Sequence, residues 1–158
     1  MSLMNIRKIG DPVLRSKSKK VENITEKTID LLENMKDTMY KAEGIGLAAP
    51  QVGVLQQLFI VDVGNGLIEV INPKIISKDG NAIMEEGCLS IPEQTGAVIR
   101  AEKIVMEGLN RKGENIKIEA EGLLARAMQH EYDHLQGVLF TDKVMEEDEL
   151  SGIEIQEE

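Results

Sequence analysis

The segment Gln129-His130-Glu131-Tyr132-Asp133-His134 carries the most specific chemistry in the chain. His130 and His134 are four residues apart, so on a helix they project from one face, one turn from each other. Two imidazoles placed this way can bind one metal ion. Glu131 is offset from His130 by about 100° around a helix axis. It can reach a water at that ion without being a ligand. Two ligands and a general base are the physical content of the HExxH pattern. The pattern is short, and two histidines can also fall at this spacing by chance. Here the chain has only two histidines, so its whole imidazole supply lies in this segment.

A catalytic metal commonly has three protein ligands and an open position. With no third histidine, the candidates are Cys88 or a carboxylate such as Glu154. Cys88 is the only cysteine, which precludes an intramolecular disulfide and suits a reducing compartment. Its bland alternative is a buried structural thiol. Gly87 would let the backbone approach closely there. The carboxylate-rich stretch 145–158 is too irregular to present a preorganised ligand, which favours Cys88. A third segment, GIGLAAPQ at 44–51, taken alone is a helix end followed by tight packing. No Lys-Ser/Thr pair closes it, so it is not a phosphate loop. Gln51 stands out as a polar residue among small ones, and a side-chain amide can donate to a developing oxyanion.

Together with EGCLS at 86–90 and QHEYDHLQG at 129–137, this segment completes a set that resembles the peptide deformylase family, whose pattern is GxGLAAxQ, EGCLS and HExDH in that order. The resemblance runs from Gly10 to Asp142. It implies metal-dependent hydrolysis of the N-formyl group from the N-terminal formylmethionine of newly made polypeptides, with release of formate. It implies Cys88, His130 and His134 as metal ligands and Glu131 as general base. Gln51 and the backbone N–H of Leu89 would stabilise the oxyanion. The implied ion is Fe²⁺, with Ni²⁺, Co²⁺ or Zn²⁺ as substitutes. Ile45, Gly46, Leu123, Arg126 and Ala127 would surround the methionine side chain, although ordinary core packing competes as a reading of Leu123. Glu86 and Arg100 are expected to pair and brace the Cys88 loop. Many bacterial members end in a long basic helix resembling a ribosome anchor. This chain continues past Asp142 with carboxylates, so ribosome contact is expected to be weak.

The elements that must position these residues are legible in part. Thr25 is a helix N-cap, with Ile24 and Ile29 as a hydrophobic staple. The helix after it carries a stripe of Ile29, Leu32, Met35, Met39 and Ala42 and ends at Glu43-Gly44. Residues 57–63 and 67–71 read as strands around the turn Gly64-Asn65-Gly66. Residues 74–77 form a short apolar run before Asp79-Gly80. Residues 103–109 and 114–120 flank a turn at 110–113; Ile116, Ile118 and Ala120 alternate with polar residues, as in a half-buried strand. A second helix spans about 122–136, stops at Gly137 and carries HExxH. The order helix, strands, helix predicts an α+β fold, with mixed or antiparallel sheets packed around the histidine-bearing helix. A short helix is expected near 146–150, within a tail that frays.

Size and composition agree with this reading. A chain of 158 residues suits one catalytic domain over 1–158. A net charge of −10 argues against direct nucleic-acid binding, and the absence of tryptophan argues against base-stacking platforms. No apolar run reaches membrane-spanning length, and Met1-Ser2-Leu3-Met4 has neither the charged nor the apolar region of a signal peptide. A cytoplasmic protein is expected.

Overall fold

The computed structural model describes residues 3–146. Helix α1 (Glu26–Lys41) starts at Thr25, whose backbone N–H donates to the Thr28 hydroxyl at 3.1 Å. That bond is one half of a capping box. Its buried face is Thr28, Leu31, Leu32, Met35, Thr38 and Met39. The helix is therefore rolled away from the expected stripe, with Ile29 half-buried and Ala42 exposed. Hydrogen bonding explains how threonine enters the interior. The Thr38 hydroxyl donates to the Asn34 carbonyl (2.7 Å) and accepts from the Met4 N–H (2.8 Å), which removes the cost of burying it.

Seven strands follow among the described residues: β1 (Gly46–Ala48), β2 (Leu58–Val61), β3 (Ile68–Asp79), β4 (Ala82–Cys88), β5 (Ile91–Arg100), β6 (Lys103–Leu109) and β7 (Asn115–Glu121). Five of them form an antiparallel sheet in the order β1-β2-β3-β6-β7, and β4 pairs with β5 in a separate hairpin. Helix α2 (Gly122–Leu135) comes last among the long elements. Strand β2 is buried at every position because its two faces feed two cores. Leu58 and Ile60 pack with Leu32, Met35 and Met39 of α1. Phe59 and Val61 pack with Ala125 and Met128 of α2. The opposite side of α2 bonds to the β4–β5 hairpin, with Arg126 donating to the Val98 and Ala82 carbonyls. The histidine-bearing helix thus lies between the large sheet and the hairpin, and the α+β expectation holds.

Three sequence readings change. Residues 67–71 and 74–77 are one long strand, β3, with a register shift between Ile71 and Lys74. Asn72 takes a left-handed conformation there (φ +53°), and its carboxamide bonds both the Val21 N–H and the Val21 carbonyl at 2.8 Å. The side chain replaces a backbone ladder, so the strand continues through what reads as a break. The 44–51 segment contains strand β1 as well as a 3-10 turn, Ala49–Val52. The β4–β5 hairpin was not anticipated. Its strands hold Glu85, Glu86, Gly87, Glu93, Gln94 and Gly96, which mask the alternation of a strand. Tertiary partners supply the missing preference. The helix expected near 146–150 falls, apart from its first residue, outside the described residues.

Candidate active site

His130, Glu131 and His134 lie on α2, and all three are buried. Cys88 ends β4 at a register slip, where the pairing passes from Glu86↔Gly96 to Cys88↔Ile91. The slip delivers the thiol to the helix. Cys88 Sγ lies 3.3 Å from His134 Nε2. One ligand atom from each of Cys88, His130 and His134 falls within 4.8 Å of the other two. The carboxylate alternative, Glu154, lies outside the described residues.

His130 Nδ1 is 2.9 Å from Glu86 Oε1 and donates to that carboxylate, which leaves the Nε2 lone pair of the neutral ring available to the site. Glu86 also accepts from Arg100 through two nitrogens (2.5 and 2.9 Å) and from Arg126 Nη1 (2.5 Å). Arg100 donates in turn to Asp133 at 2.8 Å, and Lys143 reaches Asp133 at 2.9 Å. The anticipated Glu86–Arg100 pair is therefore part of a larger buried network. Burial raises the Glu86 pKa, but its bonds to His130 and Arg100 prevail and hold it at about 2. For His130, burial favours the neutral ring, yet contacts with Cys88 and Glu86 outweigh it and push the metal-free imidazole to about 10. Burial and the neighbouring His130 drive His134 the other way, toward neutral.

Beside these groups lies a cavity of about 370 Å³. One wall comes from residues 43–46 and Gln51, another from residues 84–89, and the third from α2. Ile45, Gly46, Leu123, Arg126 and Ala127 all face it, as do Leu89 and Glu131. Arg126 is there with both terminal nitrogens engaged, by Glu86 and by the Val98 and Ala82 carbonyls. A Cβ on Gly46 would overlap the Glu131 carboxylate, and one on Gly44 would come within 2.6 Å of Leu89 Cδ1. These two glycines let the β1 wall press against the site. The Gln51 carboxamide is oriented by the Ala48 N–H, which donates to its oxygen at 2.9 Å. Its nitrogen then faces Ser90 Oγ (3.1 Å) and Cys88 Sγ (3.4 Å).

Two buried polar atoms here have no partner among the described residues: Glu131 Oε1 and His134 Nδ1. Unpaired buried acceptors and donors are costly and point to groups that complete the site. Burial raises the Glu131 carboxyl to about 7, despite His130 and Arg100. A soft thiolate with two imidazoles is a donor set for a divalent transition metal, so the residues present fit such an ion.

Some contributors were not singled out from sequence. Ser90 accepts from Gln51, and Asp133 holds Arg100; both lie inside the EGCLS and HEYDH segments, where a closer reading of each polar position would have raised them. Phe140 stacks on the His130 ring at 6.1 Å between centroids, and only the tertiary fold brings it there.

Fold and site together define a metal-dependent hydrolase on an α+β frame, in which Cys88, His130 and His134 are grouped closely enough to hold a metal ion. The sequence model of the polypeptide deformylase family matches residues 3–149, and the chain belongs to that family. Its members remove the N-formyl group from nascent polypeptides, which makes this chain a hydrolase acting on formylated N-termini. It is similar to a peptide deformylase of Halothermothrix orenii, at 63% identity over 147 residues, covering 92% of this chain and 96% of the relative. A peptide deformylase of Clostridium botulinum is 55% identical over 143 residues, covering 90% and 97%. The crystal structure of peptide deformylase from Thermotoga maritima superposes with a TM-score of 0.91 at 45% identity, covering 92% of this chain and 100% of that one. That of a peptide deformylase from Synechococcus elongatus in complex with actinonin gives 0.89 at 42% identity, covering 94% and 82%.

Proposed function

We propose that Cys88, His130 and His134 hold the catalytic ion and that the adjoining cavity receives the formylmethionine of a nascent peptide. The observation that carries this reading is the convergence of those three donors with the unpartnered Glu131 carboxylate at one cavity. The ion is Fe²⁺ by family resemblance, with Ni²⁺, Co²⁺ or Zn²⁺ able to replace it; it supplies Lewis-acid polarisation of the formyl oxygen and acidifies water. Glu131 takes the proton of the attacking water and passes it to the leaving nitrogen. The water oxygen joins the formyl carbon, the carbon–nitrogen bond breaks, and formate and a free amine result. The Gln51 amide and the Leu89 N–H donate to the oxygen as it gains charge. Ile45, Gly46, Leu123 and Ala127 enclose the methionine side chain, and Arg126 stiffens that wall through its ion pair with Glu86.

Replacing Cys88 by Ser tests the ligand set. The variant is expected to bind Ni²⁺ at least tenfold more weakly, by an estimate of about 10–100-fold for disturbing a metal site, and to lose formate release in parallel. Retained metal content with retained activity contradicts the assignment and favours a carboxylate third ligand.

The same reading covers residues 1–158 as one catalytic domain working in the cytoplasm without direct nucleic-acid binding. No helix among the described residues is long and apolar enough to cross a membrane. Ribosome contact is weak, because the sequence after Asp142 is acidic rather than basic. Co-sedimentation with ribosomes should therefore be slight and should vanish as salt is raised. Tight, salt-resistant binding through residues 145–158 contradicts this.

A further inference from the structure

Leu14, Ile91, Val98, Leu139 and Phe140 form a small apolar cluster apart from the two larger cores. Cys88 packs against it, and the Phe140 ring lies over the face of His130, with 6.1 Å between centroids and 26° between planes. None of the five cluster residues lines the cavity. Cys88 and His130 therefore meet the cavity on one side and this apolar backing on another. Several features of the chain bring Phe140 to that place. Gly137 turns the chain after α2 at φ +78°, and a Cβ there would come within 2.7 Å of the Arg15 carbonyl oxygen. The 3-10 turn Phe140–Asp142 is then tied to the N-terminal 3-10 turn Pro12–Arg15, because Arg15 donates to both Asp142 carboxylate oxygens (2.5 and 3.0 Å). Asp142 also accepts from the Leu139 N–H at 3.1 Å. The bond to Glu86 fixes where His130 Nδ1 points. A single hydrogen bond resists tilting of the ring about its own line only weakly. A second ring against the face supplies that restraint.

We propose that Phe140 is a positioning residue for the metal centre: its ring sets the plane of His130, and the cluster around it keeps water from reaching Cys88 and His130 from behind. This inference rests on the reading of Cys88, His130 and His134 as the ligands. An imidazole that can tilt spends part of its time with its lone pair off the ion, and loss of the ion begins there. Phe140 lies outside the cavity, so its removal changes how long and in what geometry the ion is held, and leaves KM alone.

The test uses the Co²⁺-loaded enzyme, because the visible spectrum of that ion reports its ligand geometry. Phe140→Leu keeps an apolar side chain and removes the flat face. Phe140→Tyr keeps the face and adds a hydroxyl at its edge. Phe140→Leu is expected to lose Co²⁺ to excess chelator about tenfold faster than wild type, at the lower end of the effect of disturbing a group that orients a ligand. Its cobalt spectrum should shift, and its KM should not. Phe140→Met carries the same expectation should the leucine variant not fold. Phe140→Tyr should keep the wild-type spectrum and release rate, although burying its hydroxyl lowers the melting temperature by several degrees. Leu31→Ala, in the core beneath α1, is the control: it lowers the melting temperature as well and leaves cobalt release unchanged. Release that follows the melting temperature through all these variants overturns the proposal, as does a Phe140→Leu spectrum and release rate equal to wild type. If Cys88→Ser holds cobalt as wild type does, the ligand reading itself fails. If Cys88→Ser loses cobalt while Phe140→Leu behaves as wild type, only the role of Phe140 fails.

Discussion

Glu131→Gln is expected to lower kcat for formyl-Met peptide hydrolysis by about 10²–10⁴-fold, the usual contribution of a positioned general base, with metal content unchanged. Three features of the site support both halves of that expectation. Glu131 is buried yet faces the cavity, where a base must meet the attacking water. Its Oε1 has no partner among the described residues and is available to accept a proton. It is absent from the three residues whose donor atoms converge, so an ion held by them would not depend on it. Glutamine keeps the shape that fits against Gly46, which separates loss of proton transfer from loss of packing. Metal analysis and steady-state kinetics on the same preparation check both halves. Activity within a few-fold of wild type removes Glu131 from the chemistry.

Glu86→Ala should be the most damaging single change to stability. The carboxylate holds the guanidinium groups of Arg100 and Arg126 and the Nδ1 of His130, and all of these groups are buried. Truncating it leaves the buried Arg126 without a carboxylate partner and Arg100 with Asp133 alone. Removing one partner of a buried pair costs about 3–5 kcal/mol, because the remaining charge is left uncompensated. The His130 ring also loses the acceptor that fixes its orientation, which should weaken metal binding by about 10–100-fold. Urea unfolding of the metal-free protein isolates the first effect, and a metal titration of the folded variant isolates the second. Glu86→Gln keeps acceptors but removes the charge and should fall between the two. If Glu86→Ala unfolds at the wild-type urea concentration, the network does not stabilise the fold in the way its geometry indicates.

How far this site could be read from sequence depends on the range of each signal. The HExxH spacing works within one helical turn, so His130, His134 and Glu131 were legible at once, and α2 ends one residue before its expected limit. Cys88 needed the absence of other imidazoles and the surrounding EGCLS, because nothing local says that the end of β4 reaches α2. The Glu86–Arg100 pair was foreseen from opposite charges, but Arg126 was expected to face substrate only. Its ion pair with Glu86 arises where the β4–β5 hairpin meets α2, and that hairpin has no periodic apolar face to announce it. Strand β3 shows the same limit. Asn72 and Pro73 read as a break, and only Val21, distant in sequence, supplies the bonds that carry the strand through. Glu43 is the reverse case, since the sequence places the helix end correctly but cannot show that a glutamate is held there left-handed, at φ +59°.

Formate release from a formyl-Met peptide tests the central claim most directly. The protein is stripped of metal, reloaded without oxygen with Fe²⁺ or Ni²⁺, and assayed beside the stripped sample. Formate should appear in amounts equal to the new free amine, only in the loaded enzyme, and Glu131→Gln should abolish most of it. Metal bound at Cys88, His130 and His134 with no formate released, or release that Glu131→Gln leaves unchanged, would contradict the mechanism.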